Sequence, residues 1–207
     1  MAEMSAFWDR LADKYAARPI PDEGVYQTKL ARTRAYFTPD MDLFEFGCGT
    51  GGTAIAHAPH VRHVTAIDFS ENMLAFARDK AAKAGIGNVT FERGDITTMT
   101  VRPASYDMVL GLSILHLLKN KDAVIARVHH MLRPGGLFVS STECIGDNRK
   151  WLRFIAPVGH ALGLLPVLDI MTHAQLRNAI TGAGFVIEHD WRPHPDSAAF
   201  IIARKPG

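Results

Sequence analysis

Short apolar runs alternate with helix-periodic stretches along this chain, and that alternation limits its folds more than any other feature. Asp42–Phe46, His63–Ile67, Val89–Glu92, Tyr106–Leu110 and Leu137–Ser141 read as strands. Between them lie helices from about Gly52, from Ser70 to Ala84, and from about Asp122 to Leu132. Ser70 is a natural N-cap, Gly85 ends its helix, and Arg133, Pro134, Gly135 and Gly136 stop the next. Strands that take turns with helices pair in parallel, with helices covering the sheet. The last helix, Thr172–Ala183, precedes Phe185–His189 and Ala198–Ala203, and the gap between these two is too short for a crossover helix. They are therefore expected as an antiparallel hairpin at one sheet edge.

Before the first strand, Met4, Phe7, Trp8, Leu11, Ala12 and Tyr15 form one apolar helical stripe, stopped by Pro19 and Pro21; Val25–Phe37 reads as a second helix. Residues 1–40 are thus expected as a helical cap on a single domain spanning 1–207. Hydrophobic residues make up 47% and charged residues 21%, an ordinary globular balance. Lys and Arg exceed Asp and Glu by only 23 to 21, without a block of like charge, so no nucleic-acid partner is expected. No run of about 18 apolar residues suggests an integral membrane segment. Cys48 and Cys144 lack metal-ligand spacing and fit a reducing cytoplasm; no metal is expected, and the sequence sets no oligomeric state.

The strongest local signal is Glu45, Phe46, Gly47, Cys48, Gly49, Thr50, Gly51, Gly52 between a strand and a helix. Glycines there permit a sharp turn and let a ligand approach backbone N–H groups at the helix start. Gly47, Gly49 and Gly52 satisfy GxGxxG, while Glu45, Gly47, Gly49 and Gly51 satisfy ExGxGxG. Beside a pyrophosphate, Glu45 would be repulsive; a ligand with hydroxyls and a positive charge fits better, because such ligands sit outside the carboxyl ends of the strands, where the acids and glycines are.

On these residues the segment from Leu43 to Leu137 resembles the class I methyltransferases that use S-adenosylmethionine (SAM), within their type 11/25-like small-molecule group. The resemblance implies a Rossmann-like, doubly wound α/β fold with a seven-stranded, mostly parallel sheet and a C-terminal antiparallel hairpin strand. It implies that Asp68 receives the ribose hydroxyls, that Phe69 and Met73 contact adenine, and that Gly94, Asp95 and Ile96 meet its edge. Cys48 belongs to the first motif, and Gly111 and Leu112 to the fourth. His116 and Tyr15 are the catalytic candidates, the first as a neutral imidazole base, the second facing the cofactor; Tyr26 lies in the same covering region.

The implied reaction moves a methyl group from SAM to a small molecule and leaves S-adenosylhomocysteine. Gly111, Leu112 and Ser113 replace the Asn-Pro-Pro-aromatic signature, which disfavours nucleic-acid and protein-amide acceptors. Trp151, Phe154, Ile155, Val158, Leu162 and Leu165 share one helical face behind Arg149, Lys150 and Arg153. This makes 144–170 an expected substrate lid and the acceptor apolar or amphipathic. Alternatives are a packed surface helix, peripheral membrane contact for lipid or quinone methylation, a non-catalytic SAM-binding protein, and an NAD-dependent oxidoreductase. His129 and His130 are adjacent and diverge on a helix, so they read as packing and surface residues, and Glu143 as a solvated loop acid.

Overall fold

The computed structural model describes residues 2–161 and 165–207, and side chains in 5–160 and 165–207. Leu162 of the apolar stripe, and the side chain of Met4, lie outside the described residues. Among the described residues seven strands are observed where seven were expected, in the order β3-β2-β1-β4-β5-β7-β6: β1 Asp42–Phe46, β2 His63–Asp68, β3 Val89–Arg93, β4 Tyr106–Leu112, β5 Leu132–Thr142, β6 Val186–Trp191 and β7 Ala199–Arg204. The chain divides into two compact units, Met1–Met99 with Tyr106–Leu110, and Thr100–Ser105 with Gly111–Gly207.

In the first unit β1 pairs in parallel with β2 and β4, Leu43 lying opposite Val64 on one side and Met108 on the other. β2 pairs in parallel with β3. Strand order reverses between β1 and β4, the position where parallel α/β sheets open a crevice at their carboxyl ends. Leu43, Phe44, Phe46, Val64 and Met108 are fully buried, as expected for strands covered on both faces. The helices of this unit are α1 Ala2–Ala17, α2 Glu23–Arg34, α3 Gly52–His57 and α4 Glu71–Lys83. Asp22 caps α2 by accepting from the Val25 N–H, and Ser70 caps α4 by accepting from that of Met73. The amphipathic α1 packs on α4, burying Ala12.

The second unit holds α5 Lys121–Met131, α6 Ile145–Asn148, α7 Leu152–Ala161 and α8 His173–Gly182. Here the pairing is antiparallel: Leu137 to Thr142 of β5 lie opposite Arg204 to Ala199 of β7, and β7 pairs in turn with β6. The hairpin at the edge is therefore as expected, with its second strand on the inside. β5 begins at Leu132, earlier than Leu137, because the Gly135 N–H donates to the Lys205 carbonyl and the Lys205 N–H to that of Gly136. Those bonds give the Pro-Gly-Gly stretch a partner strand instead of a free turn. A capping box of Thr172 and Gln175 starts α8, and Phe138, Leu176, Ile180 and Phe200 form the core.

Gly51 shows how tightly the first unit closes on its turn. It has φ +75°, and a β-carbon there would lie 2.8 Å from Ala77 Cβ and 2.9 Å from the Phe91 ring. Gly51→Ala is expected to destabilise the protein by about 2–4 kcal/mol, left-handed strain adding to a core clash. Denaturant unfolding measures it; a loss below about 0.5 kcal/mol would contradict the packing described.

Candidate functional site

The turn after β1 is built from alternating left-handed glycines: Gly47, Gly49 and Gly51 have φ of 65°, 53° and 75°. This alternation folds the backbone into a concavity lined by N–H groups. The Cys48 N–H donates to the Ile67 carbonyl at 3.0 Å, tying the turn to β2, and the Gly51 N–H donates to the Cys48 carbonyl at 3.0 Å. The buried Cys48 thiol is pushed up by burial and by the carboxylates of Glu45 and Asp68, which leaves it an inert packing group.

Asp68 ends β2 and is 8% exposed. Its Oδ2 accepts from the Gly49 N–H and its Oδ1 from the Ser70 N–H, both at 2.9 Å. Burial raises its carboxyl above the ordinary value, although these bonds pull the other way. The Asp68 carbonyl also receives the Gly94 N–H at 2.9 Å, so the ends of β1, β2 and β3 meet at one residue. Asp95 Oδ1 accepts from the N–H and hydroxyl of Thr97, which fixes its carboxylate at the head of the next turn. Ile96 and Met73 are buried beside these ends, and Phe69 is half-buried.

Glu45, on β1, is 3% exposed, and its Oε2 has no hydrogen-bond donor among the described residues. Burial, and then the nearby Asp68, push its carboxyl up to about 8. A buried carboxyl oxygen without a donor is a costly arrangement, and it suits a site completed by a ligand that donates.

The N-terminal helix reaches the same place. Tyr15 Cε1 lies 3.7 Å from where a β-carbon of Gly49 would stand, so its ring lies over the glycine turn. The side chain as a whole is exposed, yet burial of its hydroxyl end and the charge of Asp68 raise its phenol. Tyr26 lies with its hydroxyl 3.8 Å from the corresponding point of Gly52 and bonds Thr53. Asp9 was not singled out in the sequence, yet it anchors this cover. Its Oδ1 accepts from the Ser70 hydroxyl at 2.6 Å, its carbonyl accepts from Asn72 Nδ2 at 3.1 Å, and Ser5 donates both to Asp9 and to the Phe69 carbonyl. Burial tends to raise the Asp9 carboxyl, but the bonds from Ser70, Ser5 and Asn72 outweigh it and hold it low. Only the four-residue spacing of Ser5 and Asp9 on one helix face could have hinted at this.

Gly111 and Leu112 are the last residues of β4, and His116 follows in a short 3-10 turn, Leu115–Leu117; all three belong to the second unit. His116 is 9% exposed, its Nδ1 has no partner among the described residues, and burial pushes it down to about 4. It is a neutral imidazole at neutral pH. His129 packs edge-on against Phe185 with ring centroids 5.0 Å apart, as expected of a packing residue, and His130 and Glu143 are exposed.

A glycine concavity, an acid ending β2 and a further turn tied to it lie together at the strand tips of a Rossmann-like α/β fold. Residues 43–136 match the family model described as a methyltransferase domain. It is 31% identical over 138 residues to a demethylmenaquinone methyltransferase of Leptospira interrogans, covering 64% of this chain and 54% of that protein. It is 32% identical over 126 residues to a ubiquinone biosynthesis O-methyltransferase of Idiomarina loihiensis, covering 60% and 51%. The chain thus spans about half the length of these curated relatives. Among solved structures, a SAM-dependent methyltransferase from Mesorhizobium loti shares the fold with a TM-score of 0.70 at 24% identity, covering 88% of this chain and 99% of that one.

The state of Glu45 makes stability pH-dependent. Its carboxyl keeps a proton in the folded protein up to about 8, whereas the ordinary value is 4.5. Between these values the folded state binds the proton that the unfolded state releases, so stability falls as pH rises and levels off above about 8. Glu45→Gln should remove this loss, its advantage over the parent growing from pH 5 to pH 8 to on the order of a few kcal/mol. Urea unfolding at both pH values reads this; an advantage independent of pH would contradict a protonated Glu45.

Proposed function

We propose that the protein transfers a methyl group from SAM to a small apolar or amphipathic molecule. The observation that carries this reading is the pairing of an orphaned, buried Glu45 carboxyl with Asp68 around the glycine turn. Two acids at the floor of the crevice suit a ligand that brings hydroxyls and an ammonium group, and disfavour a pyrophosphate. In this reading Gly47, Cys48, Gly49 and Gly51 give backbone contacts to the amino-acid end, and Glu45 receives its ammonium. Asp68 receives the ribose hydroxyls, Phe69, Met73 and Ile96 enclose the base, Gly94 and Asp95 meet its edge, and Gly111 and Leu112 border the methyl.

When bound, SAM supplies a methyl group already activated by a sulfonium, so the protein's task is alignment and the exclusion of water. Tyr15 covers the turn and orients what lies beneath it. His116, neutral at working pH, accepts the proton of an acceptor that must lose one. Residues 1–40 serve as the cofactor cover. Relatives named for demethylmenaquinone and for ubiquinone biosynthesis support an aromatic, hydrophobic acceptor. Two free, buried cysteines agree with a cytoplasmic setting.

Calorimetric titration tests the cofactor assignment: SAM binds, NADH does not, and Asp68→Asn, which gives up one of the two backbone N–H bonds and so also lowers the melting temperature, weakens SAM by about 1–3 kcal/mol. Tight NADH binding without a SAM response would overturn the reading. Release of S-adenosylhomocysteine above the blank with phenolic or quinol acceptors separates an enzyme from a SAM-binding protein without turnover. His116→Gln should lower kcat with KM for SAM unchanged.

A further inference from the structure

Helix α7 presents its apolar side to solvent. Trp151, just before it, and Phe154, Ile155 and Val158 are 58%, 76%, 47% and 61% exposed. The spacing of three, four and seven residues puts them on one face. The other face is already packed: Ala156 is 5% exposed, and a β-carbon on Gly159 would meet the Leu165 side chain at 2.7 Å. Of the stripe expected to line a lid, Leu165 packs on Gly159, while Trp151, Phe154, Ile155 and Val158 face solvent. Four large apolar side chains together on one exposed helix face mark an interaction surface.

The charges around it state what that surface meets. Arg149, Lys150 and Arg153 are exposed and form no ion pair among the described residues. From Asn148 to Leu168 the chain contains no Asp or Glu. The acids on either side of this stretch are neutralised elsewhere, Asp147 by Arg192 at 2.8 Å and Asp169 by Lys121 at 2.9 Å. An apolar stripe led by aromatic residues with unopposed cations at its start complements an interface of acyl chains and anionic headgroups. A second copy would bring the same three cations face to face. No helix among the described residues is long and apolar enough to cross a membrane, so the contact is peripheral.

We propose that α7 docks the protein on an anionic lipid bilayer, with Trp151, Phe154, Ile155 and Val158 entering the headgroup–acyl boundary and Arg149, Lys150 and Arg153 engaging lipid phosphates. The docking does not depend on methyl transfer.

Flotation of the whole chain with vesicles tests it, comparing phosphatidylcholine alone with a mixture containing about one third phosphatidylglycerol. The protein should float with the anionic vesicles and lose that association in about 0.5 M salt. Phe154→Asp should lower partitioning about tenfold or more. Joint replacement of Arg149, Lys150 and Arg153 by Gln should lower it about a hundredfold, near fivefold for each cation. Melting curves confirm that the variants fold, and the charge variant stands as a second test if Phe154→Asp does not. Three results would overturn the proposal: no flotation with anionic vesicles at millimolar lipid, flotation unchanged in both variants, or a concentration-dependent dimer that Phe154→Asp dissolves.

Discussion

The carboxylate of Asp68 holds the first unit's strand tips together. With one oxygen it receives the Gly49 N–H from the turn after β1, and with the other the Ser70 N–H that opens α4, while its carbonyl receives the Gly94 N–H beyond β3. Three chain segments, around Gly49, Ser70 and Gly94, are thereby fixed by one residue. The left-handed glycines follow from this requirement. The turn must bring the Gly49 N–H toward the end of β2, and only a chain reversing its handedness at alternate residues curls tightly enough to do so.

That arrangement leaves Glu45 enclosed beside a second acid, with burial and Asp68 both opposing its charge. The fold tolerates a protonated acid there. A cationic ligand would reverse the balance, favouring the ionised form and supplying the missing donor. This part of the structure is thus less stable than an apolar core of the same size.

The strands were legible because Gly and Pro punctuate them and each carries an uninterrupted apolar run, and the cap of α4 because Ser70 satisfies its own helix locally. The early start of β5 was not, since it arises from backbone bonds with Lys205, a residue far along the chain. For the same reason Asp9 was missed: its partner Ser70 is 61 positions away, and nothing near Asp9 reports it. The stripe of α7 could be read as one apolar face from its spacing, but spacing carries no information on which side of a helix faces inward. For the crevice, residue types showed where acids and glycines lie, while the missing donor of Glu45 is a property of three-dimensional enclosure.

The interior place of β7 has a consequence for assembly. β6 borders only β7, and β7 fills the gap beside β5, so the penultimate strand has nowhere to pair until the one after it has intercalated. During folding, the flank of β5 stays open across the interval from Thr142 to Ala199, an edge on which another molecule's strand could add. β6 carries Glu188, His189 and Asp190 within its six residues, a composition poorly suited to stacking on neighbours, and this lowers the hazard of intermolecular β-sheet growth while the closing strand is still awaited.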